Sequence, residues 1–121
     1  MPLLGFKKQF APLVESGAKR QTIRAKRKDG RNPHPGDTLY LYTGLRTKQC
    51  RKLGTAICQR VREVVITGTF PIMSGRHLGA AEANILAVND GFPGYKEMEQ
   101  YFEKEHGLPF WGLLIEWGAI T

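Results

Sequence analysis

Long apolar runs are missing from this chain: no stretch approaches the roughly 20 residues that a membrane-spanning helix needs, so no membrane partner is expected. Cysteine is scarce. Cys50 and Cys58 are isolated, with no CxxC and no histidine beside them, which argues against a zinc site and a disulfide framework. Both read as reduced and structural, with Cys58 in a buried strand. Repeats, low-complexity segments and Pro/Ser linkers are absent, so one domain over 1–121 is expected. The opening "MPLLGFKKQFAPLV" places lysines after only a few apolar residues, the wrong order for a secretory signal, and a cytoplasmic location follows as the expectation.

Acid is what the first half lacks most. Residues 1–62 carry 15 Lys and Arg against 3 acids, a balance of +12, while residues 63–121 carry 3 against 8, so the net charge of +7 hides a strong asymmetry. One positive face that attracts a polyanion explains such a split; a merely solvated basic surface is the plainer alternative. The stretch "GAKRQTIRAKRKDGR", residues 17–31, holds seven of the cations.

Pattern places the elements. "KKQFAPLVESG" reads as a short helix with Pro12 in its first turn and Gly17 as its stop. "KRQTIR" alternates as a strand showing Arg20, Thr22 and Arg24 on one face, with Lys19 opposite unless the chain after Gly17 turns it back. "KRKDGRNPHPGD" is a loop by its turn dipeptides. "TLYLYT" is a strand with Leu39 and Leu41 facing one way and Tyr40 and Tyr42 the other. "GLRTKQCRKLG" reads as a second basic loop, and "TAICQRVREVVIT", residues 55–67, as a long strand bent midway. Two helices follow, over "RHLGAAEANILAVNDG" and "GYKEMEQYFEKEHG", the second with a core stripe of Tyr95, Met98 and Phe102. "PFWGLLIEWGAI" closes the chain as a strand. The fold class expected is α+β, with a small sheet, mixed or closed.

In that order, Gly-x-Lys-x-x-Thr-x-Arg at 17–24, "PGDTLYLYTG", a helix running into "DGF" and a terminal "FWGLLIEW" resemble the ASCH domain family of the PUA-like superfamily. The variant with "TGLRTKQCRKLG" resembles a phage or prophage-borne subgroup. The resemblance spans roughly residues 5–118. It implies a small β-barrel of about five to six strands with inserted helices, and a cleft suited to RNA or a modified nucleoside. Some members remove the acyl group of N4-acetylcytidine, using a Lys, a Thr and a Glu. Carried over by position, the Lys and Thr fall on Lys19 and Thr22, the motif's Arg on Arg24, and the Glu on Asp90, one methylene shorter.

The function expected is therefore binding of RNA or a cytidine-type nucleoside in a basic cleft. The alternatives are an N4-acetylcytidine amidohydrolase and, more weakly, a ribonuclease or a protein-binding regulator. As an enzyme, Thr22 would be the nucleophile, Lys19 its base once desolvation or positive neighbours lower its pKa, and Asp90 the acid or orienting group. Arg20, Arg24, Lys26, Arg27, Arg46, Lys48 and Arg51, with Lys28, Arg31 and Lys52, are the candidate phosphate contacts. Tyr40 and Tyr42 are candidates for base stacking, against the alternative that they simply cover the sheet. His34 and His77 have no assigned role, and His106 suits a helix end. No ligand cluster suggests a metal, and no cofactor is expected.

Overall fold

The computed structural model describes residues 2–121. Among them, seven strands and three helices follow in the order β1 (Leu3–Phe6), α1 (Ala11–Ser16), β2 (Gln21–Arg24), β3 (Thr38–Thr43), β4 (Arg51–Ile66), β5 (Ile72–Met73), β6 (Arg76–His77), α2 (Ala80–Asn89), α3 (Tyr95–His106) and β7 (Phe110–Trp117). The class is α+β with one mixed sheet. β1 lies parallel to β3, with Leu3 opposite Tyr40 and Phe6 opposite Thr43. The 16-residue β4 ties the sheet together: its first half pairs with β3 and its second with β7, both antiparallel. β2 adds to the free edge of β7, and the short β5 and β6 extend from the far end of β4.

Local chemistry explains the bends. Register shifts between Leu41 and Tyr42 and between Cys58 and Arg60 let β4 serve two partners in different planes. Gly54 sits at φ 152°, where a Cβ would lie 2.3 Å from Ile120 Cγ2, so only glycine fits there. The basic loop expected over 44–54 is correspondingly shorter, because β4 already begins at Arg51. Gly17 ends α1 in the left-handed region at φ 85°, its N–H donating to Val14 O. β1, a strand that alternation over only four residues does not announce, is recruited by its pairing with β3.

Leu39, Leu41, Val14, Met98, Leu114 and Ile115 are buried between the sheet and the helices. Burial of each large aliphatic side chain contributes about 1.5–3 kcal/mol relative to exposure. The Tyr95, Met98 and Phe102 stripe faces this core. The backbone ladders do not close into a ring: β1 and β2 each pair on one side only. Side chains cross that seam instead, Arg24 Nη2 donating to Gly5 O and Arg27 Nη2 to Leu3 O at 3.3 Å. Both cysteines are free, Cys58 buried in β4 and Cys50 exposed. No helix of the described residues is long and apolar enough to cross a membrane.

Candidate functional site

The site begins where α1 stops. After Gly17 the chain does not enter β2 at once; Lys19 N donates to Leu13 O, and regular pairing starts only at Gln21. Lys19 turns inward, with only 2% of its surface exposed, toward the same helix end that Gln21 reaches two residues later. Its Nζ donates to the Asp90 carbonyl oxygen at 2.6 Å and stands 3.2 Å from Asp90 Oδ1. Asp90 caps the C-terminus of α2, where carbonyl oxygens lack partners and the helix dipole favours a cation. Gln21 Nε2 serves the same end, donating to Leu86 O and to Asp90 Oδ1, each at 3.2 Å. The shorter acid therefore reaches the lysine, although 71 residues separate them in the chain.

Thr22 and Arg24 come from β2 itself. Arg24 Nε donates to Thr22 Oγ1 at 3.0 Å, which leaves the hydroxyl hydrogen of Thr22 for another acceptor. With Lys19 and Asp90 they line a hollow of about 240 Å³. Its remaining wall is mostly aromatic, with Phe6 from β1, Phe10 just before α1, Phe92, and Tyr101, Phe102 and His106 from α3 beside Gly5, Lys7 and Ile23. Phe10 and Phe92 meet edge to face at 5.4 Å, and Tyr101 packs on both. Lys19 Nζ lies 5.1 Å from the Phe10 ring centre and the Arg24 guanidinium 4.9 Å from that of Phe6. These cations rest on ring faces.

Burial governs the electrostatics. Loss of water pushes the Lys19 ammonium below its ordinary value, and the Asp90 carboxylate opposes that shift. The same desolvation raises the Asp90 carboxyl, with Lys19 and the Gln21 amide pulling it back. A buried ion pair held this way is chemically tunable, since either partner shifts when a ligand displaces the other. Lys19 is bonded to Asp90 rather than to Thr22, so the nucleophile–base contact expected of an enzyme is not made in this state.

The other candidate residues separate from the hollow. Arg20 does not join Thr22 and Arg24: it is exposed and its Nε folds back onto Gly17 O, although its own carbonyl already accepts Trp117 N–H in line with the β2–β7 ladder. Lys26 is exposed and pairs with Glu63 at 2.8 Å, and Arg51 pairs with Glu15 at 2.6 Å. Arg46 and Lys48 lie exposed in the turn between β3 and β4, Arg46 at φ 65°. Arg27 and Tyr40 line a separate, more open hollow, and Lys52 Nζ sits 5.6 Å from the Tyr40 ring centre. Gln21 and most of the aromatic wall carry no signal in the sequence; Phe102, from a stripe that fits core packing or a cleft wall, serves both. Gln21 falls on the wrong face of an ideal strand, and the wall is assembled from three separate segments. Among the described residues, no group of three or more His, Cys, Asp or Glu could hold a metal ion.

No family model, no curated protein and no solved structure matches this chain.

Proposed function

We propose that this chain is an ASCH-type domain of the PUA-like superfamily that binds RNA or a cytidine-type nucleoside, one base entering the aromatic-walled hollow. The observation that carries the reading is the meeting of Lys19, Thr22, Arg24 and Asp90 around one hollow. Its volume of about 240 Å³ suits a single ring system; drug-sized sites start at roughly 300 Å³. Flat aromatic faces favour a base, and the Thr22 hydroxyl, the Lys19 ammonium and the Arg24 guanidinium offer donors to ring acceptors such as the O2 and N3 of cytosine. The barrel of this superfamily is part of the same reading, supported by the two arginines that bridge the open seam between β1 and β2.

A second reading, an amidohydrolase acting on N4-acetylcytidine, is favoured by the lowered Lys19, since only a neutral amine can take the Thr22 proton. Thr22 Oγ1 would attack the acyl carbonyl, the amide C–N bond would break with N4 leaving as a protonated amine, and water would release the acyl group from Thr22. Lys19 must first exchange its bond to Asp90 for one to Thr22.

Calorimetry with cytidine and chromatography after incubation with N4-acetylcytidine test both. Saturable cytidine binding that Thr22→Ala weakens, without cytidine release from the acetylated nucleoside, is the result expected of a binding domain. Release that Thr22→Ala abolishes establishes the amidohydrolase. Neither binding nor release overturns both readings.

A further inference from the structure

The outer face of the sheet formed by β1, β3 and the first half of β4 is separate from the aromatic-walled hollow. Strand alternation buries Leu39 and Leu41 completely and leaves Tyr40 and Tyr42 on the opposite, half-exposed side. Their neighbours across the ladders are Leu3 on β1 and Lys52 on β4, both exposed. Tyr40 also walls an open hollow of about 720 Å³ that Arg27 and Arg31 share. Asp29 and Asp37 line it too, each accepting a backbone N–H of its own turn, from Arg31 and His34.

Cations flank β3 along the chain. Arg27 and Arg31 lie in the loop that leads into it, Arg46 and Lys48 in the turn that leaves it, and Lys52 stands opposite Tyr42 with its Nζ 5.6 Å from the Tyr40 ring centre. None of these five takes part in an ion pair among the described residues, whereas Lys7, Lys26, Arg51, Arg60 and Arg76 all do. Unpaired cations at both ends of a strand with two aromatic rings between them form a track for a polyanion whose bases can stack. A duplex keeps its bases inside, so the complementary partner is single-stranded.

We propose that this face, centred on Tyr40 and Tyr42, is a docking platform for single-stranded RNA, the tyrosines stacking bases and Arg27, Arg31, Arg46, Lys48 and Lys52 holding phosphates. The choice of RNA rests on the function proposed above; the platform itself rests on the rings and on cations without a carboxylate partner, of which Arg27 also donates to Leu3 O. It would hold nucleotides flanking the one that enters the hollow.

The test is fluorescence anisotropy with a labelled ten-nucleotide oligocytidylate RNA, run beside cytidine calorimetry. The Tyr40→Ala/Tyr42→Ala variant is expected to lose about tenfold or more in RNA affinity, with cytidine binding unchanged. Tyr40→Phe/Tyr42→Phe keeps the rings and is expected to bind as the wild type does, which guards against a folding defect in the alanine variant. Lys52→Ala with Arg31→Ala is expected to flatten the slope of log affinity against log salt by about 0.7 per contact removed. RNA affinity that survives loss of both rings, or a duplex of equal length that binds as tightly, overturns the platform. Cytidine binding with no RNA binding overturns the platform alone, while RNA binding that needs the tyrosines but no cytidine binding overturns only the hollow.

Discussion

Lys19 and Lys26 belong to one basic stretch and each faces a carboxylate, yet their surroundings make them different chemical groups. Lys19 lies 3.2 Å from Asp90 Oδ1 with both side chains buried, while Lys26 lies 2.8 Å from Glu63 with both exposed. The closer pair is the weaker one. Water and salt screen Lys26 from Glu63, and two long side chains lose freedom to meet. Inside, nothing screens Lys19, but it has lost its hydration, so its charge depends on Asp90 remaining in place. The lesson is what burial does: the charge of a buried cation hangs on its one partner, while an exposed cation acts through screening water.

Removing one partner of the buried pair should break that contrast most severely. Asp90→Ala strands the Lys19 ammonium without its carboxylate and is expected to cost about 3–5 kcal/mol in urea denaturation. The double variant Lys19→Met/Asp90→Leu, which removes both charges and keeps volume, should recover most of the loss. An Asp90→Ala protein as stable as the wild type would mean that the pair is not buried at all.

Thr22→Ala sharpens the comparison by separating ligand from fold. It is expected to weaken cytidine binding about tenfold, the worth of one well-made hydrogen bond, while stability changes by about 1 kcal/mol. Calorimetry and denaturation on one preparation check both.

The pH dependence of stability is the next effect. Asp90 is raised above the ordinary 3.8, so just above that pH the folded state holds a proton that the unfolded chain has released. Stability should therefore fall as pH rises from 3.8 through the folded value of Asp90, relative to an Asp90→Asn protein that lacks this proton. Lys19 acts in mirror image: it is lowered, so its contribution is complete above the ordinary 10.5 and is lost as pH falls through its own lower value. Denaturation curves at a series of pH values show the sign directly, and an opposite slope in the acid window would contradict the desolvation argument. Least of all, Lys26→Ala should leave the denaturation midpoint within measurement error, because its ion pair is fully exposed.

The elements near the site were legible where chain-local physics decides them. Pro12 and Gly17 bound α1, Leu39 and Leu41 alternate along β3, and Tyr95, Met98 and Phe102 repeat at helical spacing. Lys19, Thr22 and Arg24 stand close together in the chain, and Asp90 marks a helix end that a following glycine announces. What could not be read is what long-range packing decides. β1 exists because β3 accepts it, and Phe6 and Phe10 become walls of a hollow only when α3 brings Tyr101 across to them. Arg20 lies outside because its Nε folds back onto Gly17 O, a contact that depends on how α1 ends. The basic residues were counted correctly, but which of them an acid neutralises depends on pairs such as Arg51 with Glu15, 36 residues apart.

Amide chemical shifts recorded while cytidine is titrated into the protein test the central claim most directly. The account predicts saturable changes at Lys19, Thr22, Arg24, Gly91, Phe92 and Tyr101, the residues in and beside the hollow, and their loss in the Thr22→Ala protein. Saturable changes confined to other parts of the molecule, or none at all, would contradict it.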